Sequence, residues 1–100
     1  MRRSAKVDAN QPAIVDGLRR LGFRVLSLAT IGNGVPDLLV GCPNGRLILL
    51  EVKDAAKPPS ARKLTPDQVS WHAEWSRFPV YIVTSVADAL AAVNPRIDRD

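Results

Sequence analysis

The chain has one cysteine and one histidine in 100 residues. Cys42 therefore has no partner for an internal disulfide, and His72 alone cannot build a zinc-type cluster with it. Such cysteine usage fits a reducing compartment, so a cytoplasmic, intracellular location is expected. Long apolar runs are missing too. None approaches the roughly 20 residues that span a bilayer, and the basic start Met1-Arg2-Arg3-Ser4 leads into no signal-like apolar segment, so no membrane partner is expected. Repeats and composition breaks are absent, and residues 1–100 read as a single domain. The polar, basic stretch 1–8 reads as a mobile arm. A content of 46% hydrophobic and 24% charged residues excludes a disordered chain.

Negative charge is scarce in one part only. From Met1 to Leu64 there are 11 Lys/Arg against 5 Asp/Glu, and from Thr65 to Asp100 there are 3 against 5. A basic N-terminal two-thirds suits a polyanionic partner such as nucleic acid. Taken alone, it suits an ordinary basic surface equally well.

Apolar residues recur at helical spacing at Ile14, Val15, Leu18 and Leu21, with Asn10 to cap the start, Pro12 in the first turn and Gly22 at the end. "FRVLSLA", "PDLLVG", "RLILLEVK" and "VYIVT" read as strands. The second and third are apolar at successive positions, which predicts burial on both faces. Thr65-Pro66-Asp67-Gln68 forms a capping box with proline at the first helical position. Ser85 to about Val93 makes a last helix. The expected order is α-β-β-β-α-β-α: an α/β fold with a four-stranded mixed central sheet and helices on both faces.

Charges interrupt the second and third strands, and the turn between them decides whether those charges meet. Pro43-Asn44-Gly45 suits a three-residue loop, with Gly45 in the left-handed position. Cys42 then faces Arg46, and counting outward puts Asp37 opposite Glu51, with Lys53 on the same face. Like charges so placed repel unless a cation lies between them. Two carboxylates can hold a hard divalent cation, and an adjacent ammonium can handle a proton or offset charge on a phosphoryl group. This set suits phosphodiester hydrolysis. A structural ion cluster, with Lys53 paired to Glu51 and Asp37 as a turn residue, accounts for the residue types as well.

The pattern Pro36-Asp37, followed by Glu51-Val52-Lys53, resembles the PD-(D/E)XK nuclease superfamily. The wider match "NGVPDLLV…LLEVKD…KLTPDQVSWH" resembles its VRR-NUC branch, which includes stand-alone, often phage-encoded domains of this length. The resemblance implies a restriction-endonuclease-like fold and a metal-dependent DNA endonuclease selective for branched, flap or junction DNA. It implies Asp37, Glu51 and the Val52 carbonyl as ligands of Mg²⁺, replaceable by Mn²⁺, and Lys53 as the catalytic lysine. Gln68 would contact the lysine or the scissile phosphate, although the capping box explains it too. Lys57, Arg62 and Lys63 would contact DNA. No organic cofactor is expected, and the small size and the family suggest a homodimer.

One departure stands out. Members often add a carboxylate from the first helix, where this chain offers Asn10 and Gln11, with Asp8 before the helix and Asp16 two turns in. That leaves a non-catalytic nucleic-acid-binding module as the alternative, and a purely structural protein as a third reading. Trp71 and Trp75, four apart on one helix face, read as core or dimer interface, and His72 as packed or exposed.

Overall fold

Amphipathic spacing produces the first element of the computed structural model, which describes residues 7–94. Helix α1, Gln11–Arg20, buries Ile14 and Leu18. It ends where Gly22 turns to φ 91°, a conformation open to a residue without Cβ. The Gly22 and Phe23 amides then donate back to the Arg19 and Leu18 carbonyls, each at 3.1 Å, closing the helix with a Schellman motif.

Strands β1 (Arg24–Ser27), β2 (Leu38–Gly41), β3 (Leu47–Val52) and β4 (Val80–Val83) form one sheet in the order β1-β2-β3-β4. The first two pairings are antiparallel and the β3–β4 pairing is parallel. Helix α2, Pro59–Arg62, is a single turn between β3 and the capping box at Thr65. Helices α3 (Pro66–Glu74) and α4 (Val86–Val93) complete the chain. The expected order is therefore present with one short helix added.

The core lies on one face of the sheet. Val25, Leu38, Val40, Ile48, Leu50, Val52 and Val83 pack there with Ile14 and Leu18 of α1 and Ala89 and Val93 of α4. The opposite face differs from expectation. Among the described residues it is closed only at one end, where α3 brings Gln68 to Glu51. Elsewhere it is open: Leu47 beside the β2–β3 turn, and Leu26 and Ile82 on the edge strands β1 and β4, are each at least half exposed. Successive apolar residues in β3 thus mean burial on both faces only over Leu50–Val52.

The β2–β3 turn fixes the sheet's chemistry. The Gly45 amide donates to the Cys42 carbonyl and the Cys42 amide to that of Arg46, both at 2.8 Å, with Gly45 at φ 92°. This is the three-residue loop expected from Pro43-Asn44-Gly45, and it sets Leu38 against Leu50. Of the arm expected over 1–8, residues 1–6 lie outside the described chain. Asp8 lies inside it, half-buried and ion-paired to Lys57.

Candidate active site

One step beyond the Leu38–Leu50 pair, the register places Asp37 beside Glu51. Both are buried, Asp37 at 9% and Glu51 at 2% exposure. Asp37 Oδ2 accepts the Val52 amide at 2.7 Å, which locks its carboxyl against β3. Lys53 follows on the same face and is only 8% exposed. Its Nζ lies 3.8 Å from Glu51 Oε2.

Helix α3 supplies the fourth group. Thr65 accepts the Gln68 amide, and the Gln68 side chain accepts the Thr65 amide at 2.9 Å, completing the capping box. The same Gln68 Oε1 accepts Lys53 Nζ at 2.9 Å, and Nε2 donates to Glu51 Oε2 at 2.9 Å. One carboxamide thus completes the helix cap and bonds both Lys53 and Glu51, and these partners dictate its orientation. Gly34 allows α3 to come this close. It has φ 83°, and a Cβ there would overlap the Asp67 carbonyl, so no larger residue fits without moving the helix start.

Electrostatics explain what the site lacks. Burial raises the Asp37 pKa above the usual carboxylate range, partly offset by the Val52 amide. Glu51 is pushed up to about 8, first by burial and then by the Asp37 charge beside it. Its Oε1 is buried and has no hydrogen-bond donor among the described residues. Two carboxyls forced together, with one acceptor left over, make a donor set fitted to a hard divalent cation. No three Asp, Glu, His or Cys side chains among the described residues gather as a metal cluster. The protein would therefore offer Asp37, Glu51 and a backbone carbonyl, with water completing the shell.

The other expected residues divide. Asp8 lines the same hollow, of about 500 Å³, as Asp37, Glu51, Lys53 and Gln68, and its charge raises the pKa of both buried carboxyls. The sequence shows Asp8 as the end of an expected arm and as a carboxylate just before the first helix; the docking of α1 brings it here. Lys57 is paired with Asp8. Arg62 is half-buried, its Nε without a partner among the described residues, and Lys63 is exposed. Neither lines the hollow.

Asn10 occupies the N-cap position of α1 but makes no cap bond; its nitrogen is taken by two strand-end carbonyls. Gln11 is buried and lines a separate hollow with Val7, Pro12 and Val15. Asp16 pairs with Arg20 in solvent. The Trp71 and Trp75 rings stack with centroids 4.9 Å apart, and Trp75 is 40% exposed. His72 packs edge-on against Trp71. Its pKa is lowered by burial and then by the Lys53 charge, which places it near the site.

The element order and mixed sheet are those of a restriction-endonuclease-like α/β domain. No family model matches the chain. A protein named "Putative nuclease p44", of Acyrthosiphon pisum secondary endosymbiont phage 1, is 27% identical over 97 residues, covering 96% of this chain and 99% of that protein. A solved structure titled "VRR_NUC domain" superposes with a TM-score of 0.63 at 29% identity, over 83% of this chain and 88% of that one. In sequence and fold the chain resembles this VRR-NUC domain.

Proposed function

We propose that the protein is a divalent-metal-dependent DNA endonuclease, with Mg²⁺ held by Asp37, Glu51 and the Val52 carbonyl and with Mn²⁺ able to replace it. The observation that carries this reading is the buried Asp37–Glu51 pair with the Lys53 ammonium 3.8 Å from Glu51. A structural protein gains nothing from burying two carboxyls side by side, one of which must keep a proton to stay there. A bound cation would supply Lewis-acid polarisation of the phosphoryl oxygen and a water of lowered pKa.

The chain's own residues do the rest. The Lys53 ammonium, held by Gln68 Oε1, offsets charge growing on the phosphate as water adds to phosphorus and one P–O ester bond breaks. Gln68 Nε2 keeps Glu51 oriented. Asp8 takes up the position of an additional carboxylate at the hollow's edge. Lys57, Arg62 and Lys63 supply positive charge beside it for the DNA backbone, with Lys57 first released from Asp8.

A chain of 10.9 kDa covers little DNA, which favours recognition of branched, flap or junction structure over a long sequence, and action as a homodimer. The open sheet face with Leu26, Leu47 and Ile82 exposed supports the dimer; a monomeric mass at micromolar concentration would exclude it. Labelled flap, four-way-junction and duplex DNA incubated with Mg²⁺, Mn²⁺ or EDTA test the whole reading. Cutting is expected with either metal, fastest on a branched substrate, and none with EDTA. Tight DNA binding without cutting under every metal condition would instead establish a binding module.

A further inference from the structure

Asn10 precedes α1 at the position where a short polar side chain ordinarily accepts a helix amide. Here it does the reverse. Its Nδ2 donates to the Lys53 carbonyl at 3.0 Å and to the Thr84 carbonyl at 2.9 Å. These carbonyls stand side by side, one residue past Val52 and Val83, the last paired residues of β3 and β4. A carboxamide nitrogen carries two hydrogens, so one goes to each strand. Asn10 Oδ1 is buried with no partner among the described residues. The nitrogen alone holds the group in place.

We propose that Asn10 is a positioning residue: by tying together the ends of β3 and β4 it fixes the Lys53 backbone, and through it the direction of the ammonium. This rests on the reading of Lys53 as the catalytic lysine. The Lys53 amide already donates to the Val83 carbonyl at 2.9 Å, so Asn10 secures the other side of the same residue, just before the chain leaves the sheet. A lysine ammonium stands about 6 Å from its Cα, so a backbone rotation of about 10° displaces it by about 1 Å. Displacement on that scale can cost about 100-fold in rate. The assignment also explains why position 10 carries an amide: it needs two hydrogens to give to two carbonyls. Aspartate has the same shape, but its oxygens would face two carbonyl oxygens with no hydrogen to offer.

The test compares wild type with Asn10→Asp and the milder Asn10→Ser. Turnover on the preferred DNA should fall about 100-fold in Asn10→Asp, with KM and calorimetric Mg²⁺ affinity within about threefold of wild type. In protein labelled with ¹³C-lysine, the Lys53 Cε resonance should move in both variants. Mg²⁺ affinity that rises in Asn10→Asp would make position 10 a ligand position and overturn the proposal. So would a rate that falls only in proportion to the folded fraction, or an unmoved Lys53 resonance. If wild type itself cuts nothing, the nuclease reading fails, and the resonance alone decides whether Asn10 positions Lys53.

Discussion

Replacing Lys53 by alanine is expected to lower turnover by about 1,000-fold or more, in the range found when a positioned proton-transfer group or charge donor is removed, while DNA affinity changes less than about threefold. The difference follows from burial. Lys53 is 8% exposed, and its ammonium is spent on Gln68 and Glu51 inside the hollow. It is poorly placed to anchor a passing backbone in the ground state, but well placed to meet charge that develops beside the two carboxyls. Lys53→Arg should not restore the rate, because a planar guanidinium cannot occupy the position of a compact ammonium. Single-turnover cleavage together with fluorescence anisotropy on a flap substrate separates the effects. A variant that binds DNA much more weakly but cuts the bound fraction at the normal rate would make Lys53 a backbone anchor and remove it from the chemistry.

The second large effect concerns stability. Glu51 titrates at about 8 in the folded metal-free protein, against an ordinary value of 4.5. Below pH 4.5 both folded and unfolded chains hold this proton. Between 4.5 and about 8 only the folded chain holds it, so each rise of one pH unit costs about 1.4 kcal/mol of stability until the folded carboxyl also ionises. The raised Asp37 carboxyl acts in the same direction. In EDTA, the protein should therefore lose a few kcal/mol between pH 5.5 and 8, a large share of what a small domain has. Glu51→Gln keeps the shape and cannot ionise; it should flatten most of that slope and be the more stable protein at pH 8, while losing cleavage. Mg²⁺ should stabilise wild type most at pH 8, where the bare carboxylates repel most, and Glu51→Gln little. Urea denaturation at the two pH values, with and without Mg²⁺, checks all of this. An equal slope in wild type and Glu51→Gln would show that the buried pair does not govern it.

Some of this site could be read along the chain and some could not, for physical reasons. The Asp37–Glu51 register follows from three turn residues, because a hairpin loop of known length fixes every pair counted outward from it. The capping box fixes where Gln68 stands but not what it touches: its place in the site came from the resemblance alone, and the carboxamide does turn inward to Glu51. Asp8 and the Asn10 tie depend on where the start of α1 docks against strands more than forty residues away. No spacing rule reports that. The uncovered sheet face escaped for another reason: a run of apolar residues shows that a strand is apolar on both sides, not that both sides are covered.

If Asp37 and Glu51 share a divalent cation, calorimetric titration of Mg²⁺ into the protein at pH 8 will show it. Wild type should bind Mg²⁺ with a measurable heat, and Asp37→Ala, still folded, should not. Absence of binding to wild type, or binding that survives in Asp37→Ala unchanged, would contradict the account and return the buried pair to a purely structural role.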